Sequence, residues 1–390
     1  MQLATRMSRL GTETAFEVLV RARALEAQGR DVIHLEVGEP DFDTPSNIIE
    51  AGAEALRSGW THYGPAPGLP QLREAIANYL NSSRGTEYGP DNIVVTPGGK
   101  PIMFFTILAL LEAGDEAIYP NPGFPIYESM INFTGAKAVP SPILEKFGFA
   151  LDVSELPGLI TDKTKLLIIN SPANPTGGVL NRKEIEAIAE LAVANDLIVL
   201  ADEIYAEILY EGEHVSIATM PGMKERTIIL DGFSKTYAMT GWRLGYGAMP
   251  VEFAKVIGNL MVNSNSCTSM AVQIAGVEAL TGPQDDVKTM VAAFEKRRDL
   301  MVDGLNDIPG ITCLRPKGAF YVFPNISRTG MKSKAFADQL LQDYGVAALS
   351  GTAFGQYGEG YLRLSYANSE ENLSRALDRI RQMVTDLGVA

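Results

Sequence analysis

Short runs of Ile, Val and Leu recur along the middle of the chain and predict buried strands. These runs lie at 92–96, 115–120, 165–170, 197–202 and 227–232. None of them alternates apolar with polar positions, and such unbroken apolar runs are typical of parallel strands covered on both faces. The pattern therefore predicts a central sheet that has helices on either side.

Helical periodicity fills several of the intervals between these runs. Segment 182–196 places apolar side chains on one face, and segment 101–114 is apolar on nearly all sides, which predicts a buried helix. Two long helices are predicted near the C-terminus, at 283–308 and 369–388, the second with Ser369 as its N-cap. Helices between strands favour right-handed crossovers and a mostly parallel sheet.

The same pattern divides the chain into two predicted domains of the α/β class. The large domain, 46–283, is expected to contain the mostly parallel central sheet flanked by helices. The smaller α+β domain is expected to combine the N-terminal segment, 1–45, with the C-terminal segment, 284–390.

Composition and charge narrow the classes of partner. The 390 residues carry a formal net charge of −14, which disfavours binding to nucleic acid or to an anionic membrane surface. No apolar run approaches the roughly 20 residues that span a bilayer, and no signal-peptide pattern is present. Cys267 and Cys313 lie far apart and the three histidines are scattered, so we expect no disulfide framework and no metal site. The predicted setting is the cytoplasm.

Residues able to bind an anion or a cation follow several predicted strands, where open α/β sheets bind ligands. In "VVTPGGK", Gly98, Gly99 and Lys100 begin a helix whose N–H groups favour an anion, although an ordinary glycine turn explains them equally well. Asp202 ends the strand at 197–202, where it is either a helix N-cap or the partner of a cation. Asn174 lies between two prolines, in a stiff loop or a simple turn.

The stretch "DGFSKTYAMTGWRLGY" holds Lys235 and Arg243 among small residues. A desolvated lysine beside cationic groups has a lowered pKa and reacts with carbonyl groups. Taken singly, Lys235 and Arg243 are more simply interpreted as exposed side chains. Together with the anion-binding turn, the aspartate and the asparagine, they supply the parts needed to hold pyridoxal 5′-phosphate.

At these residues the chain resembles the class I/II aminotransferases of the fold type I pyridoxal-phosphate family, and most closely their bacterial aspartate/aromatic branch. The resemblance runs from "VGEPDFDTP" at 37–45 to "YLRLSYA" at 361–367. The lysine motif matches at Gly232, Ser234, Lys235, Gly241, Arg243 and Gly245. The chain differs from some relatives at Gly232, where they have a phosphate-binding serine in place of the glycine. It also differs from close relatives at Phe124, where they often have tryptophan.

The resemblance implies a role for each cofactor-binding residue. Lys235 bonds covalently to the cofactor and shuttles the proton, Asp202 pairs with the pyridine nitrogen, and Tyr205 and Asn174 bond the phenolic oxygen. The phosphate is held by Gly98, Gly99, Lys100, Ser234 and Arg243, and Phe124 stacks on the ring. Lys235, Asp202 and Tyr205 are thereby the implied catalytic residues.

Substrate and partner roles also follow from the resemblance. Arg363 grips the substrate α-carboxylate, and Gly38 and Asn174 lie near the substrate. Tyr63 reaches the phosphate of the neighbouring subunit, which implies a homodimer with shared active sites.

The implied reaction is transfer of the α-amino group of an L-amino acid to a 2-oxo acid, with ping-pong kinetics. Lys100 favours acidic donors, because the lysine at its position in a related bacterial subgroup recognises a side-chain carboxylate, whereas Phe124, Tyr63 and Met103 tolerate aromatic ones. A pyridoxal-phosphate-dependent β-lyase or related α,β-eliminating enzyme is the alternative. A cofactor-sensing regulator domain and a cofactor-free Schiff-base aldolase fit less well, the first because of the acidic charge and the second because it leaves Asp202, Asn174 and Arg243 without a task.

Overall fold

Three sheets are built from strands distributed along the whole chain in the computed structural model, which describes residues 1–389. The strands are β1 (Ile33–His34), β2 (Ile93–Thr96), β3 (Glu116–Asn121), β4 (Lys137–Pro142), β5 (Thr164–Asn170), β6 (Ile198–Asp202), β7 (Thr227–Gly232), β8 (Gly245–Ala248), β9 (Tyr321–Val322), β10 (Val346–Ala347), β11 (Leu349–Ser350) and β12 (Leu362–Ser365). The helices are α1 (Ala15–Glu26), α2 (Ser46–Arg57), α3 (Pro70–Arg84), α4 (Lys100–Leu110), α5 (Ile126–Thr134), α6 (Leu156–Leu159), α7 (Arg182–Ala194), α8 (Phe233–Thr236), α9 (Val251–Ser264), α10 (Met270–Thr281), α11 (Asp285–Asn306), α12 (Ser333–Tyr344) and α13 (Glu370–Asp386).

The central sheet has seven strands in the order β2-β8-β7-β6-β5-β3-β4. Strands β4, β3, β5, β6 and β7 pair in parallel, and β8 runs antiparallel to both of its neighbours. The predicted α/β class and mostly parallel sheet are therefore confirmed. All five predicted strands form, whereas β4 and β8 were not anticipated.

Both faces of this sheet are buried, as the unbroken apolar runs predicted. Along β5, Leu166 and Ile168 belong to a core cluster with α4, α5 and α9. The alternate residues, Leu167 and Ile169, belong to a second cluster that includes α7. Because successive strand side chains point to opposite faces, one apolar run supplies both cores.

A separate hydrophobic core joins the N-terminal strand β1 to the C-terminal helices. It contains apolar side chains of α11, α12 and α13 together with β9, β10 and β12. The predicted C-terminal helices are present, and the Ser369 hydroxyl accepts a hydrogen bond from the Asn372 amide, which caps α13 as predicted. The limits of the two domains at 46 and 283 stay predictions.

Candidate active site

The carboxyl ends of β5 and β6 lie side by side and bring Asn170 next to Asp202, which are partners in the strand register. The Asn170 side-chain amide donates to the Asp202 carbonyl oxygen over 3.0 Å. Its side-chain oxygen accepts a hydrogen bond of 2.8 Å from the Asn174 backbone amide. Asn170 thereby ties the loop that carries Asn174 to the strand that ends at Asp202.

The Asp202 carboxylate is buried and receives a hydrogen bond of 2.5 Å from the Tyr127 hydroxyl. Burial raises the pKa of Asp202 to about 6, although the Tyr127 hydrogen bond opposes this rise. Tyr127 is itself fully buried and packs edge-on against Phe124, with 5.6 Å between ring centroids. A carboxylate in such a dry place is costly unless a cationic partner comes to it.

Lys235 lies in α8, the single turn that follows β7. Its Nζ donates to the Gly38 carbonyl oxygen over 2.5 Å. Burial lowers the pKa of Lys235 to about 8, while the negative charge of Glu39 works in the opposite direction. About a tenth of this amine is therefore unprotonated near pH 7, far more than for an exposed lysine, and this fraction can act as a nucleophile or a general base.

The anion-binding turn and Arg243 meet at the start of α4. Gly98 has φ +87°, and a Cβ built on it would lie 2.3 Å from an Arg243 guanidinium nitrogen. Position 98 therefore requires glycine for two reasons, its left-handed backbone and the close approach of Arg243. Ser234 and Gly99 line the same cavity as Arg243. A hydroxyl, a guanidinium and a helix N-terminus together form a cradle suited to a phosphate group.

Arg363, on β12, has its guanidinium between two aromatic rings, 4.5 Å from the Tyr321 centroid and 5.0 Å from that of Phe354. It donates to the Glu36 carbonyl oxygen and, over 3.4 Å, to the Asn174 side chain. Among the residues described, its buried Nε finds no partner. A fixed guanidinium with a spare donor is suited to binding a carboxylate.

Tyr321 also organises the substrate side of the site. Its hydroxyl lies 2.7 Å from the Tyr205 hydroxyl. A Cβ built on Gly38 would lie 2.0 Å from that same Tyr321 hydroxyl oxygen. The strand that carries Arg363, the loop at Gly38 and the phenol of Tyr205 are thus held against one ring.

One cavity of about 510 Å³ contains nearly all of the residues predicted from the sequence. Its walls include Gly38, Gly99, Lys100, Phe124, Asn174, Asp202, Tyr205, Ser234, Lys235, Arg243 and Arg363. Gly98 lies beside the cavity, under Arg243. The remaining predicted residue, Tyr63, is 89% exposed and does not line the cavity of its own chain.

Sequence reasoning missed several residues of this site, including Tyr127, Tyr321, Asn170 and Glu13. Tyr127 lies three residues after Phe124, at the start of α5, and its closeness in sequence to that predicted residue was an available signal. Asn170 ends a predicted buried strand, as Asp202 does, and it could have been found by the same argument. Tyr321 and Glu13 carried no local signal, because they approach the site from distant segments of the chain.

A buried ion cluster anchors the segments that carry Asp202 and Lys235, and it was also missed. Arg84 donates to Glu203 over 2.8 Å and to Asp231 over 2.7 Å. Burial opposes the charge of Glu203, but His214 and Arg84 outweigh it and lower its pKa to about 2. Glu203 is the residue after Asp202, and Asp231 lies four residues before Lys235. The cluster therefore holds in place the backbone next to Asp202 and the backbone that leads to Lys235.

Sequence comparison assigns the chain to a family. Residues 30–380 match the family described as aminotransferase class I and II, and the chain belongs to it. The protein is a pyridoxal-phosphate-dependent aminotransferase, and nothing in these comparisons favours a β-lyase.

Individual relatives agree over nearly the whole chain. The chain is similar to an aspartate aminotransferase of Pyrococcus abyssi (strain GE5 / Orsay), at 44% identity over 92% of each chain. It is 41% identical to an aromatic-amino-acid aminotransferase 2 of Thermococcus litoralis, over 92% of this chain and 94% of the relative. The solved structure of an aspartate aminotransferase from Thermus thermophilus with maleate matches with a TM-score of 0.94 and 39% identity, over 98% of this chain and 99% of that one.

The site residues fit pyridoxal phosphate. A cavity of about 510 Å³ falls within the range of cofactor sites, roughly 300–1,000 Å³. The buried Asp202 carboxylate is matched to a pyridine nitrogen that carries a proton, the Lys235 amine to an aldehyde, and the cradle at Gly98 and Arg243 to a phosphate. All three complementary groups of the cofactor therefore have a counterpart at one cavity.

Proposed function

We propose that this aminotransferase takes both acidic and aromatic L-amino acids as donors and that each half of its ping-pong reaction occurs in the cavity described above. The observation that carries this proposal is the composition of that cavity. It contains Arg363, whose buried Nε lacks a partner among the residues described, and also Lys100, whose Nζ lies 5.4 Å from the centroid of the Phe124 ring. The Arg363 guanidinium is suited to the α-carboxylate of the donor, and the Lys100 ammonium lies beside the aromatic surface of Phe124.

The cofactor would be held at the places where the site has matching groups. Lys235 would bond to it covalently, Asp202 would pair with its pyridine nitrogen, and Phe124 would stack on its ring. Asn174 and Tyr205 would bond its phenolic oxygen. The phosphate would be held by Gly98, Gly99, Lys100, Ser234 and Arg243. When bound, pyridoxal phosphate supplies an electron sink for the electron pair left on the substrate α-carbon.

The protein supplies orientation and proton transfer. Arg363 holds the substrate α-carboxylate, with Gly38 and Asn174 beside it. The Lys235 amine removes the proton from the substrate α-carbon, because burial lowers its pKa to about 8 and so increases the fraction of free amine near neutral pH. The Asp202 carboxylate, kept dry, stabilises positive charge at the pyridine nitrogen.

The two donor classes are supported by the side chains around Lys100 and by the relatives. Met103, Phe124 and Phe16 line the cavity with apolar surface, which accommodates an aromatic side chain. The Lys100 ammonium offers a partner for a side-chain carboxylate. The relatives named above are an aspartate aminotransferase and an aromatic-amino-acid aminotransferase, each more than 40% identical to this chain.

Two further features belong to this proposal, a homodimer with shared active sites and a cytoplasmic setting. The homodimer is supported by Tyr63, an aromatic side chain that is 89% exposed in the single chain and is suited to reach a neighbouring subunit. The setting is supported by Cys267 and Cys313, which form no disulfide. Within residues 1–389, no helix is long and apolar enough to cross a membrane.

A half-reaction screen tests the donors. Each L-amino acid is added to the cofactor-loaded protein without an oxo acid, and the loss of the bound cofactor's absorbance is followed. Aspartate, glutamate, phenylalanine and tyrosine are expected to react fastest, and Lys235→Ala is expected to react with none of them. Preference for small neutral donors would contradict the proposal. Release of ammonia and pyruvate without an added oxo acid would instead indicate the lyase.

Shared sites are tested by mixing subunits. Lys235→Ala and Tyr63→Ala chains are each expected to be nearly inactive. Refolded together, they form hybrid dimers with one intact site, and activity returns. If the mixture stays inactive while hybrids are demonstrated by mass spectrometry, Tyr63 does not act across the interface.

A further inference from the structure

Lys100 is already paired inside the cavity. Its Nζ donates to Glu13 Oε2 over 2.6 Å, although the two residues are 87 positions apart in the chain. Glu13 comes from the segment that precedes α1, and Lys100 is the first residue of α4. The Glu13 side chain is 23% exposed and that of Lys100 48%, so the pair sits at a partly sheltered mouth of the cavity.

The segment that carries Glu13 is fixed in place by contacts with α5. The Arg9 side chain donates to the Asn132 carbonyl oxygen over 2.8 Å, and the Gly11 amide donates to the Ser129 hydroxyl over 2.9 Å. The residues after Glu13 then contribute Ala15 and Phe16 to the cavity wall. Glu13 is therefore a built part of the substrate side of the site.

Glu13 presents to Lys100 the same group that an acidic substrate would present, a carboxylate on a short flexible chain. Paired, Lys100 and Glu13 carry no net charge. An aromatic side chain beside Phe124 and Met103 then meets a neutral pair instead of a bare ammonium. A substrate with a side-chain carboxylate, in contrast, has to displace Glu13 or lie next to its negative charge.

We propose that Glu13 is a specificity-determining residue, which acts as an internal substitute for the side-chain carboxylate of a dicarboxylic substrate on Lys100. Its charge makes the site more selective for uncharged, aromatic side chains and restrains the binding of acidic ones. This inference rests on the proposed function, because it takes Lys100 as the group that reads the substrate side chain.

Ligand binding to the cofactor-loaded protein tests the inference without turnover. Dissociation constants are measured by calorimetry for maleate, an unreactive dicarboxylate, and for hydrocinnamate, an unreactive aromatic monocarboxylate. Glu13→Gln removes the charge and keeps the shape. It is expected to bind maleate about fivefold more tightly, the factor that corresponds to about 1 kcal/mol for a partly exposed ion pair. Hydrocinnamate binding is expected to stay the same or to weaken.

Two controls make the test specific. Glu17→Gln carries the same change of charge at an exposed position of α1 that does not line the cavity, and it is expected to leave both constants unchanged. In a Lys100→Met background, Glu13→Gln is expected to lose its effect on the ratio of the two constants. A ratio that is the same in Glu13→Gln and in the unchanged protein overturns the inference, and so does an equal shift in Glu17→Gln.

Activity separates this inference from the proposed function. Glu13→Gln should raise kcat/KM for aspartate relative to phenylalanine by a similar factor. If the unchanged protein transaminates neither donor class, the proposed function fails, yet the binding ratio still decides the role of Glu13. If both classes react and the ratio does not move, only the role of Glu13 fails.

Discussion

Asp202→Asn removes a carboxylate whose burial lowers the free energy of unfolding of the protein. We therefore expect the variant to be more stable than the unchanged protein when the cofactor is absent. The substitution keeps size and shape, and the asparagine oxygen can still accept the Tyr127 hydroxyl. Burial raises the pKa of Asp202 to about 6 from an ordinary value of 3.8. The Asp202 carboxyl therefore binds a proton more tightly in the folded protein than in the unfolded chain.

The sign and size of the effect follow from that difference. A raised carboxyl pKa means that the free energy of unfolding falls as pH rises from about 4 to about 6 and is then level. The folded and unfolded pKa values of Asp202 differ by about two units, and each unit corresponds to about 1.4 kcal/mol. Ionised Asp202 therefore lowers the free energy of unfolding by about 3 kcal/mol near neutral pH. Asparagine does not titrate, so Asp202→Asn should recover up to about 3 kcal/mol near pH 7 and almost nothing near pH 4.

Urea denaturation of the cofactor-free proteins across this pH range measures the difference directly. Asp162→Asn, at an exposed position, is the matched control and should change the free energy of unfolding by less than about 0.5 kcal/mol. With cofactor, the order should reverse, because the asparagine cannot pair with a charged pyridine nitrogen. If cofactor-free Asp202→Asn is less stable than the unchanged protein near pH 7, the buried Asp202 carboxylate does not lower the free energy of unfolding.

Three further substitutions test other parts of the site. Tyr127→Phe removes the hydrogen bond that restrains the pKa of Asp202, so the carboxyl should titrate above about 6, and cofactor affinity measured by absorbance titration should fall about tenfold; an unchanged affinity would remove Tyr127 from the site. Arg84→Met leaves Asp231 buried without its cation and Glu203 with His214 alone, and it should cost about 3–5 kcal/mol in urea denaturation. A loss below about 1 kcal/mol would show that the two acids find other partners. Arg363→Ala should raise KM for α-amino acids about 100-fold, because a charge-assisted pair is lost; unchanged steady-state kinetics would exclude Arg363 from substrate binding.

The parts of the fold that the sequence predicted correctly share one physical property, which is a strong local pattern. Strands β5, β6 and β7 are unbroken apolar runs because both of their faces are buried. The two missed strands of the central sheet lack that pattern for identifiable reasons. Strand β8 is the sequence Gly-Tyr-Gly-Ala and has few apolar side chains of its own, and β4 contains two prolines, which an edge strand tolerates.

The site divides in the same way. Asp202, Asn174 and Lys235 follow strand ends or stiff loops, so local sequence marks them. The Tyr127 hydroxyl, the Arg84 cluster and Glu13 matter only because the tertiary fold brings them to a group that is distant in sequence. Arg84 is 119 positions from Glu203 and 147 from Asp231, and nothing in its own surroundings in the sequence distinguishes it from an ordinary helical arginine.

Desolvation is the largest influence on the pKa values of the two central groups of the site, and it shifts both towards their tasks. The same burial that raises the pKa of the Asp202 carboxyl to about 6 lowers that of the Lys235 amine to about 8. Between these values the aspartate is mostly ionised and the lysine is close to giving up its proton, and both conditions are needed together. Glu39 sets one limit, because its charge raises the pKa of Lys235 against the effect of burial. Removing the Glu39 charge should therefore lower the pKa of Lys235 further and extend to lower pH the range in which its amine is free. Burial is thus the source of the site's reactivity, and neighbouring charges such as Glu39 set its pH range.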